Sequence, residues 1–242
     1  MTAGPACATT GLMPRPKAIV SWSSGKDSAW ALHHVRARGD LEVTGLLTTV
    51  TAEFARVAMH AVREVLLDAQ ASALGLPCTK VTLPWPCSND AYERALGSAL
   101  RSARAAGVTH VVFGDLFLAD IRAYREATLA GMGLTPVFPL WGRDTRALAA
   151  EMIDGGLRAT LTCVDPRRLD ARFAGRAFDR ALLDELPTGV DPCGENGEFH
   201  TFAWAGPMFA APILVSPGDR VERDGFAFAD LVPGAPADFG SP

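Results

Sequence analysis

Apolar and polar residues come in blocks along this chain, and the period of the blocks alternates between strand-like and helix-like. The apolar run ending at Val20 is short enough for a buried strand. Small polar residues follow it, and residues 28–38 then carry a helical pattern closed by Gly39, a usual helix stop. The couplet repeats. Residues 41–50 are apolar and β-branched, and 56–74 place Val57, Ala61, Val65 and Leu66 on one helical stripe before Gly75. Residues 77–83 read as a third strand, 89–106 as a helix stopped by Gly107, and 110–113 as a short strand ending at Gly114 and Asp115. Strands alternating with helices of this length predict parallel strands joined by right-handed crossovers. The expected class is therefore α/β, with helices on both faces of a parallel sheet. Ligands in such sheets sit at the carboxyl ends of strands near a switch in strand order, and Ser23, Thr48, Gly114 and Asp115 fall at such ends.

From about Thr135 the texture changes. Residues 136–142 are apolar and punctuated by proline; Asp144 then caps a predicted helix to 154, residues 157–164 read as a strand and 179–186 as a helix. Beyond Asp191 and Pro192 a polar turn, residues 193–198, runs into a strand, and Asp224-Gly225 between Val221, Phe226 and Phe228 predicts an antiparallel hairpin. The organisation expected is a disordered tail over 1–16, a nucleotide domain over 17–135, a smaller α+β substrate domain over 136–232 and a second disordered tail over 233–242.

Composition narrows the function classes. The formal net charge is −4 over 242 residues, with no long basic run, which disfavours a nucleic-acid partner. Cys7, Cys78, Cys87, Cys163 and Cys193 form no C-x-x-C pair, so reduced thiols fit better than a zinc site or a disulfide framework. No apolar stretch is long enough for a membrane span and the first residues do not read as a signal peptide. The expected location is cytoplasmic, with no membrane partner.

The chemistry concentrates first in the loop from Ser23 to Ser28. At a strand-to-helix junction the first helical N–H groups lack intrahelical partners and the dipole is positive, so an anion meets donors already aimed at it. Ser23, Ser24 and Ser28 add hydroxyls, Gly25 permits close approach and Lys26 adds charge. The loop is not a Walker A motif, because Asp27 stands where that pattern needs Ser or Thr. An ordinary serine-capped turn is the alternative, but the Lys26-Asp27 pair favours phosphate. Asp27 would repel phosphate directly, so it reads as a ligand for Mg²⁺ or a cap for loop N–H groups. Asp115 reads equally as a metal or nucleotide contact and as a turn cap. A second dense block, Gly194 to Thr201, packs Glu195, Asn196, Glu198 and His200 into one turn; a solvated β-turn is its simpler reading.

Ser23, Gly25, Asp27 and Ser28 resemble the S-G-G-x-D-S signature of the PP-loop ATP pyrophosphatases, with Ser24 in place of the first glycine. Taken with Met59-His60, Phe113-Gly114-Asp115, Pro139 to Gly142 and Gly194 to Thr201, the chain resembles the diphthine–ammonia ligase family within that superfamily. The resemblance implies an adenine nucleotide α-hydrolase-like (HUP) domain, with ATP and Mg²⁺ as cofactors. It further implies an amide-forming reaction, in which a carboxylate attacks the α-phosphate, pyrophosphate leaves and ammonia displaces AMP. On that reading Ser23, Ser24, Gly25, Lys26, Asp27, Ser28, Thr48, His60, Gly114 and Asp115 bind the nucleotide, and Asp27 and Asp115 hold metal. Lys26, Asp27, Glu195, Glu198 and His200 carry catalysis, the last three on the acceptor or ammonia side. Expected partners are ATP, ammonia or ammonium, and a carboxylate acceptor, either a small molecule or a modified protein side chain; a homodimer is a further candidate. Two other readings stay open: a PP-loop tRNA thiolase using Cys163 or Cys193, and a sensor that holds ATP or AMP without turnover.

Overall fold

The computed structural model describes residues 14–53, 56–57 and 62–234. In chain order the elements are β1 (Lys17–Ser21), α1 (Lys26–Arg38), β2 (Glu42–Thr51), β3 (Arg56–Val57), α2 (Glu64–Leu74), β4 (Cys78–Leu83), α3 (Asn89–Ala105), β5 (Val108–Val112), α4 (Ala119–Ala130) and β6 (Thr135–Val137). There follow α5 (Thr145–Asp154), β7 (Arg158–Val164), a 3-10 turn (Ala171–Phe173), α6 (Arg180–Glu185), β8 (Phe199–Ala205), β9 (Val215–Arg223) and β10 (Phe226–Pro233).

The first sheet runs in the parallel order β4-β2-β1-β5-β6, with β3 antiparallel on the end of β2. Chain order therefore reverses between β1 and β5, and the loops leaving those two strands open a crevice. A central strand must be apolar on both faces, and Ala18, Ile19 and Val20 are all buried. The second sheet is antiparallel in the order β8-β7-β10-β9. Its hairpin turns at Asp224 and Gly225, with φ of 53° and 78°, the left-handed pair that a two-residue turn needs.

One hydrophobic core joins the sheets, holding Val20 and Leu46 together with Leu161, Phe199 and Phe202. Helix α1 lies at their junction. Ala29, Trp30, Ala31 and Leu32 in succession are at most 3% exposed, so the first half of the helix is enclosed on every side, and it packs on β8 as well as on the parallel strands.

Helix starts at Asp144 and Asp179 hold as expected: each carboxylate accepts an N–H three residues on, from Ala147 and Leu182, at 2.8 Å. The expected 56–74 helix needs correction. Among the described residues of that span the helix is Glu64–Leu74, whereas Arg56–Val57 pairs with β2 and the Val57 N–H donates to Val62 at 2.8 Å. Val65, expected on the buried stripe, is 54% exposed, while Leu66, Leu67, Gln70, Ala71 and Leu74 face the core. Helix α4 is absent from the sequence reading because Leu129 is its one buried residue, too little for an apolar stripe. Of the expected tails, 1–13 and 235–242 lie outside the described residues, as do Ala61 and Met59. The Pro16 carbonyl is tied to the Glu42 N–H at 2.9 Å.

Candidate active site

The loop between β1 and α1 is held from beneath by one buried amide. Gln70 donates to the Ser24 carbonyl at 3.0 Å and to the Ala203 carbonyl at 2.6 Å, and accepts from the Trp22 indole at 2.9 Å. The Ala203 N–H also donates to the Ser24 carbonyl, at 2.9 Å. Ser24 itself adopts φ of 69°, the left-handed region that glycine occupies without strain. Above it, the Gly25 N–H donates to Ser23 Oγ, Ser23 Oγ lies 3.2 Å from Ser28 Oγ, and Ser28 Oγ donates to the Gly25 carbonyl. The end of β5 presses onto this turn. A Cβ on Gly114 would stand 2.8 Å from the backbone of Asp27 and Ser28, so only glycine allows that approach.

Lys26 turns away from the loop hydroxyls. Its ammonium donates to both Asp27 oxygens, at 3.0 and 2.8 Å, and to the Cys193 carbonyl, and sits 5.4 Å from the ring centres of Phe178 and Phe199. Burial works most strongly against its charge, but Asp27, Cys193 and Glu195 together outweigh it and hold the Lys26 pKa above its ordinary value. The role expected for Lys26, offsetting phosphate charge, is therefore not the one its ammonium serves here: its three N–H groups already have acceptors in the loop and in the 193–201 block.

That block is ordered from within. Asp191 accepts the Glu195 N–H at 2.9 Å, and Glu198 Oε1 accepts the Asp191 N–H and the Asn196 side-chain amide at 3.0 and 3.1 Å. Glu198 is 3% exposed and braces the turn from below. Glu195 points the other way, accepting the Leu116 N–H at 2.7 Å and so pinning the second sheet's loop to the connection between β5 and α4. Burial raises its pKa to about 7. His200 is lowered to about 4, by burial and then by the Lys26 charge.

These elements enclose a cavity of about 260 Å³. Ser23, Lys26, Asp27 and Ser28 form one wall, Gly114, Asp115 and Arg125 a second, and Glu195, His200 and Thr201 a third. Pockets for drug-sized ligands span roughly 300–1,000 Å³, so this space takes a small polar group rather than a whole ligand of that size.

Eight of the expected site residues thus converge: Ser23, Lys26, Asp27, Ser28, Gly114, Asp115, Glu195 and His200. Four others do not line the cavity. Ser24 lies fully buried under the loop; Gly25 spends its N–H on Ser23; Thr48 donates its hydroxyl to the Trp22 carbonyl at 2.8 Å; Glu198 faces inward. His60 lies outside the described residues. Sequence reasoning missed Arg125, Gln70 and Asp191, and gave no role to Thr201, whose Oγ1 accepts the Lys26 N–H at 3.1 Å. Arg125 belongs to the helix that pattern did not show, and Gln70 is a single polar residue on an apolar helix face, a signal available but easily passed over.

The thiols do not suit transfer chemistry. Burial raises Cys193, and pushes Cys163 up to about 12, so both stay protonated. Nor is a magnesium site preformed. Asp27 is paired with Lys26 and Asp115 with Arg125, and no group of three metal-ligating side chains occurs among the described residues. Among the described residues no helix is long and apolar enough to cross a membrane.

Comparison with known proteins covers both sheets. Residues 16–136 match the family model of the diphthamide synthase N-terminal domain, and residues 144–229 that of the diphthamide synthase C-terminal domain. The diphthine–ammonia ligase of Danio rerio is 31% identical over 181 residues, 68% of this chain and 71% of its own length. Those of Bos taurus and Homo sapiens are each 27% identical over 237 residues, 86% of both chains.

Proposed function

The chain belongs to the diphthamide synthase family, whose matching members are named diphthine–ammonia ligase, and on that premise we propose that it forms an amide from a carboxylate and ammonia at the expense of ATP. The observation that carries this reading is the cavity itself, where the β1–α1 loop meets the 193–201 block. A carboxylate oxygen attacks the α-phosphorus, the bond to the bridging oxygen breaks and pyrophosphate leaves. Ammonia then attacks the acyl carbon and AMP leaves with the bonding pair. Both steps need alignment and charge stabilisation more than covalent help. The hydroxyls of Ser23 and Ser28 and the open N–H groups of the first turn of α1 would hold the pyrophosphate portion. Magnesium would arrive on the phosphates rather than at a preformed protein site.

Glu195 is the proton acceptor of this proposal. Ammonium must lose a proton before it can attack, and the adduct must lose another. A carboxylate with a pKa of about 7 is matched to that work near neutrality. Diphthine is the acceptor that the relatives' names supply, and it is the first to test.

The deciding experiment incubates the protein with ATP, Mg²⁺, ammonium and diphthine and identifies the products. AMP, pyrophosphate and the amide are expected; ADP with inorganic phosphate would reject the mechanism, and nucleotide binding without any product would favour a sensor.

A further inference from the structure

The second wall of the cavity contains a cation that the reaction described above does not yet use. Arg125, on α4, pairs with Asp115: Nη2 donates to Oδ1 at 3.0 Å and Nε lies 2.9 Å from Oδ2. Its guanidinium carbon also lies 4.4 Å from the centre of the Phe113 ring, which stacks on Phe138 at 5.5 Å. The pair is well enclosed, with side chains 27% and 12% exposed. The ion pair and the ring contact together hold the guanidinium in place.

An arginine presents five N–H donors in a rigid plane, and of these Asp115 accepts from Nη2, on the inner edge of the fork. The outer edge, with Nη1, makes no hydrogen bond among the described residues, and Arg125 is one of the residues that line the cavity. The other side-chain cation of the cavity, Lys26, has its donors engaged. Meanwhile Asp27, Asp115 and Glu195 place three carboxyl groups around a space that has to accept anions. Two anions joining there need a cation with donors to offer, and the outer edge of Arg125 matches the two-oxygen spacing of a carboxylate or phosphoryl group.

We propose that the outer edge of Arg125 binds a pair of oxygens on a reacting anion, either the α-phosphoryl group or the acceptor carboxylate, with Asp115 as the positioning residue that fixes its plane. The proposal rests on the ligase reading above. Glu195 faces the same space, so the anion held by Arg125 would lie between a fixed cation and the proton acceptor of the second step.

The test compares the wild-type chain with Arg125→Met and Arg125→Lys, using calorimetric binding of AMP and of adenosine, thermal melting, and the rate of pyrophosphate release at saturating ATP with diphthine. A charge-assisted pair of hydrogen bonds corresponds to about 10- to 100-fold in affinity. If the phosphoryl group is the ligand, Arg125→Met loses that factor for AMP and keeps its affinity for adenosine. If the carboxylate is the ligand, AMP and adenosine bind as in the wild type, while the KM for diphthine rises by a similar factor. Lysine, which lacks the fork, restores little in either case. Equal losses for AMP and adenosine with a lowered melting temperature would reduce Arg125 to a structural role and overturn the proposal, as would wild-type behaviour in every measurement. A wild-type chain that binds neither AMP nor adenosine overturns the ligase reading itself, and the proposal with it.

Discussion

The main-chain N–H of Lys26 donates to the hydroxyl of Thr201 at 3.1 Å, joining residues 175 apart in the chain. Lys26 opens α1 and Thr201 belongs to β8, so the bond ties the β1–α1 loop of the parallel sheet to the densest polar block of the antiparallel one. It also explains why those two blocks occur together in one chain: the second supplies the partner that the first turn of a helix cannot find within itself.

Replacing Thr201 by Val keeps the shape and removes the acceptor. The Lys26 N–H is then left buried and unpaired, and the expected loss is about 1 kcal/mol, or roughly 2–4 °C in melting temperature for a chain of this size. Thr201→Ser should retain most of that stability. Equal melting of the Val variant and the wild type would show that the bond contributes nothing.

The order of strands and helices in the first sheet was legible because buried parallel strands are apolar runs and the helices end at glycine: Gly39 and Gly75 both take the left-handed conformation at their caps. The hairpin at Asp224-Gly225 and the cap at Asp144 were legible for the same local reason, as was the helix that begins after Asp179. What could not be read is set by tertiary partners. Val65 carries the right residue type for a core stripe but the helix starts only at Glu64 and turns it outward. Glu195 and Glu198 stand three residues apart in one turn, yet one faces the cavity and the other the core, because Asp191 and Asn196 offer Glu198 two donors. Arg125 acquires its place only when α4 folds back across the end of β5.

Ser24→Gly should stabilise the protein. A serine at φ of 69° costs roughly 1 kcal/mol in backbone strain, and its buried hydroxyl makes no hydrogen bond among the described residues. Glycine removes both penalties and adds an entropic cost of about 0.5–1 kcal/mol, leaving a net gain of about 1 kcal/mol. Thermal or urea unfolding measures this, and a loss of stability in the glycine variant would contradict it.

Glu195 and His200, both shifted and both lining the cavity, act on stability in opposite directions. Glu195 is raised from 4.5 to about 7, so its contribution is fully present below about pH 4.5 and is lost as pH rises through 7. His200 is lowered from 6.5 to about 4, so its contribution is present above pH 6.5 and is lost as pH falls through 4. Glu195→Gln should therefore flatten the loss of stability between pH 5 and 7 and leave the acid limb. In turnover, the ammonia-dependent step should rise with ionisation of a group near pH 7. The Gln variant should lose that limb together with about 10²–10⁴ in rate, while ATP–pyrophosphate exchange survives. A variant that keeps the limb would remove Glu195 from proton transfer.

Lys26 and Asp27 form the remaining pair to be separated experimentally. Lys26→Met takes away a buried ammonium that serves a carboxylate and the Cys193 carbonyl, and leaves the Asp27 carboxyl, whose pKa burial already raises, without its counter-ion. Removing one partner of a buried ion pair costs about 3–5 kcal/mol, most of it the exposure of the survivor's charge to a medium that solvates it poorly. Asp27 keeps 27% of its side-chain surface in contact with solvent, which argues for the lower end, about 3 kcal/mol. Adding Asp27→Asn removes the stranded charge, so the double variant should recover more than half of the loss, and a double-mutant cycle by urea unfolding measures the coupling. Turnover should not recover with it, because Asp27 lines the cavity and Lys26 positions the turn that carries Ser28. Recovery of stability without recovery of rate would separate the clasp from the chemistry; a Lys26→Met variant as stable as the wild type would show that the ammonium is not a clasp at all.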